Sequence, residues 1–358
     1  MMVPYVPMTV KADQQFNSAK RFYFIGVQGV AMAGLAVILV DRGADVGGSD
    51  VAATFATEAA LTRAGIKIFS GFRAQQLLDW KPDVVIRGAS WGDDHPELQA
   101  ASAAKLPVFS EAELRGYLSR QRKTIAVCGV HGKSTTTALL SWVLTQAGRD
   151  PSYLVGAPAV AGLPGNGHWG RGEEFVVEAD EYAKSQSDKS AKFLELDPWA
   201  TVITSLEWEH VDVYPDVAAM EQAFGQLVRQ TRGPVVACTD WPSVVTAVAG
   251  TPRLITYGSR SAEYTVDGFQ LTHVGSRFSV LRNSRQLAEI ASPLIGLHNA
   301  LNATAALAVS VELGVDVPTF TAALASFQGL ARRQQATVVD GVTWVDDYGH
   351  HPTEVART

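Results

Sequence analysis

The chain is constrained most by residues 123–137, whose sequence is KTIAVCGVHGKSTTT. An apolar, β-branched run is followed by a glycine turn, a Lys-Ser pair and the start of a helical pattern. This order is typical of a strand, a phosphate-binding loop and a helix. Gly129 and Gly132 let the backbone turn tightly, so that successive N–H groups and the helix N-terminus converge on one anion. The stretch therefore predicts a nucleotide-phosphate site.

Two side chains of this loop carry the expected chemistry. Lys133 brings a mobile positive charge to the β- and γ-phosphate oxygens, and the Ser134 hydroxyl is the usual ligand of the bridging Mg²⁺. The strict Walker pattern has a glycine where this chain has Val127, but the flanking strand and helix supply the context that the motif requires. The loop residues predicted to contact ATP are Gly129, Val130, His131, Gly132, Lys133, Ser134 and Thr135.

Composition and charge exclude several classes of function. The 358 residues, 47% of them hydrophobic, are enough for two or three globular domains. The net charge is −6 and the basic runs are short, which argues against a nucleic-acid partner. The apolar stretch at residues 31–40 is shorter than the roughly 20 residues of a membrane span, and we expect neither a membrane partner nor a signal peptide. Two cysteines cannot build a disulfide framework, so a reducing cytoplasm is expected.

Residues 21–50 have the pattern of an opening βαβ unit, whose second strand ends at Ser49 and Asp50. Its glycines, Gly26, Gly29 and Gly34, lack the G-x-G-x-x-G spacing that fits a dinucleotide pyrophosphate. A nicotinamide cofactor, and with it an oxidoreductase, is therefore disfavoured. Asp50 lies where an acidic side chain accepts from ribose hydroxyls or a base, the alternative being a solvated turn carboxylate.

Alternating strand and helix patterns predict an α/β fold. We expect a flexible arm over residues 1–20 and a Rossmann-like domain over residues 21–122. A central P-loop ATPase domain with a mostly parallel sheet should follow over residues 123–330. Residues 331–358 should be the start of a truncated third domain.

Local signals predict three further features. A helix should begin at Ser110, with Glu113 as its capping-box partner. Residues 263–295 alternate with turn signals and should form β-hairpins. A further hairpin should turn at Asp340 and Gly341.

Acidic side chains follow two buried strands at the points where those strands end. The strand ends carry Glu178, Asp180 and Glu181 in one case, and Glu207, Glu209, His210 and Asp212 in the other. The carboxyl ends of strands are where open α/β sheets bind ligands, and oxygen ligands suit hard cations. We predict metal ligands here, and the alternative is a pair of solvated strand ends.

The ordered motifs GVHGKSTTT, EADEY, EWEHVDVY, GLHNALN, FQGLARR and DDYGHHPTEV resemble the Mur ligase family over nearly the whole chain. The resemblance implies an ATP-dependent amide ligase of peptidoglycan precursor synthesis that acts on UDP-N-acetylmuramate. It favours L-alanine as the acceptor. The segment SDKSAKF at residues 187–193 is similar to members that attach a murein tripeptide, L-Ala-γ-D-Glu-meso-diaminopimelate, and this acceptor is the alternative. At Ser205 the chain departs from the family, where asparagine is common.

The resemblance also implies roles for individual residues. Lys133, Glu178 and His210 would be catalytic, and Ser134, Glu178 and His210 would hold Mg²⁺. The remaining ATP contacts would be His298, Asn299, Asn302 and Arg332, with Arg333 beside it. The UDP-sugar would lie against Gly26, Gly29, Gly34, Ser49 and Asp50. The loop that closes over the nucleotide and the acceptor would contain Asp346, Asp347, Tyr348, His350 and His351.

The implied reaction phosphorylates the muramoyl carboxylate with ATP, and the incoming amine then attacks the acyl phosphate. Family members continue for about another domain after the DDYGHHPTEV loop, so we expect a fragment or a short form that turns over poorly. A non-catalytic nucleotide-binding module is a further alternative. The expected state is a cytoplasmic monomer or homodimer.

Overall fold

The computed structural model describes residues 10–357 of the chain. They form two large sheets accompanied by helices, and a separate two-stranded hairpin. In this part of the chain no helix is both long enough and apolar enough to cross a membrane. The α/β fold with mainly parallel sheets that the sequence predicts is confirmed.

The first sheet is built between residues 21 and 110. Its strands are β1 (Arg21–Ile25), β2 (Asp45–Asp50), β3 (Lys67–Ser70), β4 (Val84–Arg87) and β5 (Val108–Ser110). The helices of this part are α1 (Val10–Ser18), α2 (Val30–Asp41), α3 (Glu58–Arg63), α4 (Ala74–Trp80), α5 (Pro96–Ala103) and α6 (Glu111–Ser119). All strand pairs are parallel, in the order β3-β2-β1-β4-β5. The order reverses between β1 and β4, and such a switch point is where open α/β sheets bind ligands.

Two local predictions have opposite outcomes in this part. The capping box is confirmed, because Ser110 Oγ accepts from the Glu113 N–H and the Glu113 carboxylate accepts from the Ser110 N–H. The flexible arm is wrong for residues 10–18, which form α1. Phe16 of this helix is buried and packs its ring 4.6 Å from Phe109 and 4.9 Å from Tyr117. Residues 1–9 of the predicted arm lie outside the described residues.

The second sheet has ten strands. These are β6 (Lys123–Cys128), β7 (Ser152–Leu154), β8 (Gly167–His168), β9 (Glu174–Glu178), β10 (Ala200–Ile203), β11 (Val235–Cys238), β12 (Leu254–Gly258), β13 (Tyr264–Thr272), β14 (Gly275–Arg282) and β15 (Arg285–Ser292). The helices are α7 (Lys133–Gln146), α8 (Val217–Gln230), α9 (Pro242–Ala247), α10 (Leu297–Glu312) and α11 (Val317–Ala325), with a 3₁₀ turn at Lys192–Glu195.

The centre of this sheet positions the phosphate loop. The strand order is β15-β14-β13-β12-β11-β10-β6-β9-β7-β8, and the strands from β13 to β7 pair in parallel. Val127 pairs with Glu178, and Cys128 pairs with Ile203. The segments that leave β6, β9 and β10 therefore emerge at one edge of the sheet. The antiparallel pairing of β13, β14 and β15 confirms the hairpins predicted for residues 263–295.

The two sheets are joined through a close approach of α2 to β8. A side chain at Gly34 would collide with Leu154 and Asn166, and one at Gly167 would collide with the Gly34 carbonyl. Asn166 Nδ2 donates to the Val30 carbonyl at 2.8 Å. Gly34 therefore lies in the contact between the two sheets, away from the switch point where the sequence predicts a UDP-sugar contact.

The last described residues form β16 (Gln335–Val339), β17 (Val342–Asp346) and α12 (Pro352–Arg357). Asp340 and Gly341 both have a positive φ, 51° and 78°, which suits a tight hairpin turn. The predicted hairpin is thus confirmed.

Candidate active site

The phosphate loop requires its glycines. Gly129 has φ +129° and Gly132 has φ +83°, a region that L-amino acids with a side chain rarely adopt. A Cβ atom at Gly129 would collide with Thr204, and one at Gly132 would collide with Asn302. Both positions thus allow the backbone to approach its neighbours closely.

Thr204 and Ser205, which directly follow β10, hold the phosphate loop in place through hydrogen bonds. Ser205 Oγ accepts from the His131 N–H at 2.7 Å, and Thr204 Oγ1 donates to the Cys128 carbonyl at 3.1 Å. Both residues are buried. The sequence analysis did not assign them to the site, although their position directly after a central strand is a usable signal.

Lys133 is held at the base of the loop by a buried carboxylate. Its Nζ donates to the Gly129 carbonyl at 2.6 Å and to Glu181 Oε1 at 2.9 Å. Burial alone would lower the pKa of Lys133, but the carboxylates of Glu181 and Glu178 outweigh this effect and raise the pKa. Lys133 therefore keeps its positive charge at neutral pH.

Ser134 and Glu178, two of the three predicted metal ligands, are hydrogen-bonded to each other. Glu178 Oε1 accepts from Ser134 Oγ at 3.1 Å, and Oε2 accepts from the Gly156 N–H at 2.7 Å. Burial raises the pKa of Glu178, while the Lys133 charge opposes that shift. The pair presents oxygen atoms of the kind that hard cations bind.

His210 lies with other carboxylates. Its Nε2 is 3.3 Å from Glu181 Oε1 and 3.9 Å from Glu209 Oε2. Ligand atoms of Glu181, Glu209 and His210, which we call the inner cluster, lie within 4.8 Å of one another. Glu181 Oε2 is buried and has no hydrogen-bond partner. The predicted metal set is therefore divided, with Glu178 beside Ser134 and His210 in the inner cluster, and Glu181 lies at their junction.

A second group lies where the phosphate loop meets the end of the described chain. His131, Glu207 and His351, which we call the rim cluster, have ligand atoms within 4.8 Å of one another. His131 Nδ1 is also 3.2 Å from Glu354 Oε1. Burial would lower the pKa of His131, but Glu354 and Glu207 raise it above its ordinary value. For Glu354, burial would raise the pKa, but bonding to His131 and the backbone lowers it to about 2.

A cavity of about 430 Å³ opens beside the phosphate loop. Its lining brings together predicted ATP contacts from separate elements, namely His131, Gly132, Ser134, Thr135, His298, Asn299 and Asn302. Asn302 Nδ2 donates to Asn299 Oδ1 at 3.2 Å, which links the two amides on α10. The lining also contains Trp241 and Phe327, which the sequence analysis missed.

The two consecutive arginines after α11 have different positions. Arg333 lines the cavity. The Arg332 side chain is half exposed, lies 4.9 Å above the Tyr348 ring and is 3.9 Å from Asp346. The cavity is thus lined by the neighbour of the arginine that the sequence analysis assigned to ATP.

The predicted closure loop is split between two environments. Asp347 lines the cavity and accepts from the Gln334 N–H at 2.8 Å. His350 and His351 instead lie near two glutamates that are two residues apart in the chain, Glu209 and Glu207. His350 Nε2 is 3.5 Å from Glu209, and His351 Nδ1 is 3.7 Å from Glu207.

Most of the residues predicted to bind a UDP-sugar lie at the carboxyl ends of β1 and β2. The Gly26 N–H donates to the Ser49 carbonyl at 2.8 Å, and Gly29 is the N-cap of α2. Asp50 is buried and accepts from the Gln28 N–H at 2.7 Å. Four of the five predicted residues therefore share this switch point, and Gly34 does not.

Two parts of the chain match known protein families. Residues 21–123 match the family described as "Mur ligase family, catalytic domain", and residues 127–310 match the "Mur ligase middle domain". The UDP-N-acetylmuramate--L-alanine ligase of Myxococcus xanthus is 38% identical over 345 residues, which cover 95% of this chain and 71% of that protein.

Two solved structures have the same fold. The UDP-N-acetylmuramate-alanine ligase of Thermotoga maritima has a TM-score of 0.83 at 28% identity, covering 94% of this chain and 76% of that one. The UDP-N-acetylmuramate:L-alanyl-gamma-D-glutamyl-meso-diaminopimelate ligase of Neisseria meningitides has a TM-score of 0.80 at 28% identity. The match covers 88% of this chain and 100% of that one. With both domain matches and this identity to a curated relative, the chain belongs to the Mur ligase family of ATP-dependent amide ligases.

Proposed function

We propose that this protein joins L-alanine to UDP-N-acetylmuramate at the expense of ATP. The observation that carries the proposal is the cavity of about 430 Å³, in which the phosphate loop faces the amides of α10. Relatives named for this reaction, 38% identical in the case of Myxococcus xanthus, support the choice of substrates. The proposal includes a cytoplasmic setting.

The side chains at the phosphate loop suit phosphoryl transfer to a carboxylate. Lys133 is a fixed positive charge next to the loop, where charge on the phosphoryl oxygens develops. The attacking group is first the muramoyl carboxylate and then the amine of the acceptor, so the protein supplies no nucleophile of its own. The protein instead positions the reacting groups and stabilises the charge that develops on the phosphoryl oxygens.

The oxygen-rich donors around Lys133 fit Mg²⁺. Ser134 and Glu178 would hold one ion, and the buried, unpartnered Oε2 of Glu181 with His210 would add ligands for a second. When bound, Mg²⁺ would neutralise charge on the phosphate oxygens. Lys133 and His210 both lie against Glu181 and offset part of the negative charge of this group.

A peptide acceptor is the second candidate, and one loop favours it. In the loop that follows β9, Lys184 forms ion pairs with Asp188 at 3.0 Å and with Glu195 at 2.8 Å. From the same loop, Gln186 Nε2 donates to the Ser90 carbonyl of the first domain at 3.0 Å. An ordered loop across the two domains offers extra surface for a tripeptide.

Acceptor-dependent ADP release tests the proposal. The protein, and any longer native form of it, is assayed with UDP-N-acetylmuramate, ATP and Mg²⁺, and with L-alanine or the tripeptide as acceptor. We expect L-alanine to stimulate ADP release and Lys133→Met to abolish it. Stimulation by the tripeptide alone would reassign the acceptor. Nucleotide binding without any acceptor-dependent release from the longer form would indicate a binding module.

A further inference from the structure

The rim cluster joins three distant parts of the chain beside the nucleotide cavity, which His131 lines. His131 belongs to the phosphate loop, Glu207 follows β10, and His351 directly precedes α12. His131 Nε2 is 2.9 Å from Glu207 Oε2, and His351 Nδ1 is 3.7 Å from the same oxygen. All three side chains are partly exposed, so ions from solution can reach them.

The donor atoms of the rim cluster differ from those of the inner cluster. Two imidazoles and one carboxylate form a set that zinc and related d-block cations bind, whereas Mg²⁺ prefers oxygen ligands, which outnumber the single imidazole in the inner cluster. Tetrahedral Zn²⁺ with bonds near 2.1 Å holds its ligand atoms roughly 3.4 Å apart. The observed separations of 2.9 Å and 3.7 Å lie on either side of this value.

Outer contacts orient these ligands as metal sites require. His131 Nδ1 faces Glu354 Oε1 at 3.2 Å, and Glu207 Oε1 accepts from Thr353 Oγ1 at 2.9 Å. Metal-bound histidines commonly donate their second N–H to a carboxylate in this way, and ligating carboxylates are themselves hydrogen-bonded. His351 Nδ1 accepts from the Thr353 N–H at 3.2 Å, so this nitrogen carries the lone pair. A cation at the site would replace that one backbone hydrogen bond.

We propose that the rim cluster binds one zinc-like divalent cation, with water in a fourth position. The ion takes the place of the proton between His131 Nε2 and Glu207 Oε2, and that proton leaves to solvent. Because His131 and Glu354 line the nucleotide cavity, the bound ion fixes the start of α12 against the cavity lining. Cation binding and nucleotide binding therefore oppose each other. Cation binding at the rim cluster requires neither an acceptor nor ligase activity.

Cobalt is the probe for the site. The metal-free protein is titrated with Co²⁺ in excess Mg²⁺, which occupies oxygen-rich sites. We expect one Co²⁺ per chain with the intense visible absorption of four-coordinate cobalt, displaced by Zn²⁺. His351→Asn should abolish this absorption, and Glu354→Gln should weaken Co²⁺ binding about tenfold through the loss of an outer contact. In the wild type, Zn²⁺ should weaken binding of an ATP analogue, and in His351→Asn it should not.

Two control variants locate the ion. His273→Asn, in the exposed turn between β13 and β14, should leave the absorption unchanged. His210→Asn, which removes the histidine of the inner cluster, should also leave it unchanged. Circular dichroism and unfolding in EDTA establish that each variant is folded. The proposal is overturned if the wild type binds no four-coordinate cobalt, if His210→Asn loses the absorption while His351→Asn keeps it, or if Zn²⁺ leaves nucleotide affinity unaltered.

Discussion

Lys133 Nζ lies 2.9 Å from Glu181 Oε1, and the Glu181 side chain is only 2% exposed. The contact ties the phosphate loop to the segment after β9 through a buried pair of opposite charges. Removing one partner of such a pair leaves an uncompensated charge. This relationship makes Glu181, which the sequence analysis grouped only among acidic strand ends, central to the site.

Glu181→Gln should destabilise the protein. It keeps the side-chain volume and removes the charge, so we expect a loss of about 3 kcal/mol in the free energy of unfolding, measured in urea. The matched control is Glu263→Gln, whose more solvent-accessible pair with Arg282 at 3.0 Å should contribute less than about 1 kcal/mol. Equal losses in the free energy of unfolding would show that the Lys133–Glu181 pair contributes no more to stability than the Arg282–Glu263 pair.

Gly132→Ala should abolish nucleotide binding. The added methyl group meets Asn302 on α10 and forces apart two sides of the cavity. Gly148→Ala is the control, because Gly148 also has a positive φ, +73°, but no atom lies within 4 Å of a Cβ built there. Both variants should lose about 1 to 2 kcal/mol to backbone strain. Titration with an ATP analogue should detect the loss of binding in Gly132→Ala alone, and unaltered affinity in that variant would contradict the described loop geometry.

Gly34→Ala should weaken the contact between the two sheets while UDP binding is retained. Alanine in a helix is favoured over glycine by up to about 1 kcal/mol, so a net loss of stability reports a steric conflict with Leu154 and Asn166. We expect a net loss of about 1 to 2 kcal/mol by chemical denaturation. Gly29→Ala, where a Cβ meets only ordinary contacts, is the comparison. A stabilised Gly34→Ala protein with weakened UDP binding would support the role that the sequence predicts.

The stability contributed by His168 should depend on pH. His168 Nδ1 lies 2.9 Å from Asp41 at the end of α2, and this hydrogen bond raises the pKa of His168 while burial opposes the shift. Because the pKa of His168 is higher in the folded than in the unfolded protein, its contribution to stability is complete below the unfolded value of about 6.5. This contribution is lost as the pH rises through the pKa of the folded state. Wild type should exceed His168→Gln in unfolding free energy by about 0.5 to 1 kcal/mol near pH 6, and by almost nothing at pH 9. A difference in unfolding free energy that grows as the pH rises would show that folding lowers the pKa of His168 and does not raise it.

Features that rest on neighbouring residues could be predicted from the sequence. The phosphate loop, the capping box at Ser110 and the turn at Asp340 each depend on a few consecutive side chains and their backbone preferences. The edge at which Glu178 and His210 emerge also followed from the order of strands and acidic residues.

Features that rest on packing between distant segments could not be predicted in this way. The placement of Arg333, and not Arg332, in the cavity lining depends on how the chain turns after α11, where Arg332 has φ +61°. The helix α1 is stabilised by Phe16 against Tyr117, a contact that spans about a hundred residues of chain. Likewise, the inner and rim clusters arise because alternate residues Glu207 and Glu209 face different partners.

We propose that this protein activates the muramoyl carboxylate with ATP before it forms an amide. The most direct test uses UDP-N-acetylmuramate labelled with ¹⁸O in its carboxylate, together with ATP, Mg²⁺ and L-alanine, with the inorganic phosphate analysed by mass spectrometry. An acyl phosphate transfers one carboxylate oxygen to phosphate, so we predict ¹⁸O-labelled phosphate in step with amide formation and none with Lys133→Met. Amide formation that releases only unlabelled phosphate would show that no acyl phosphate forms.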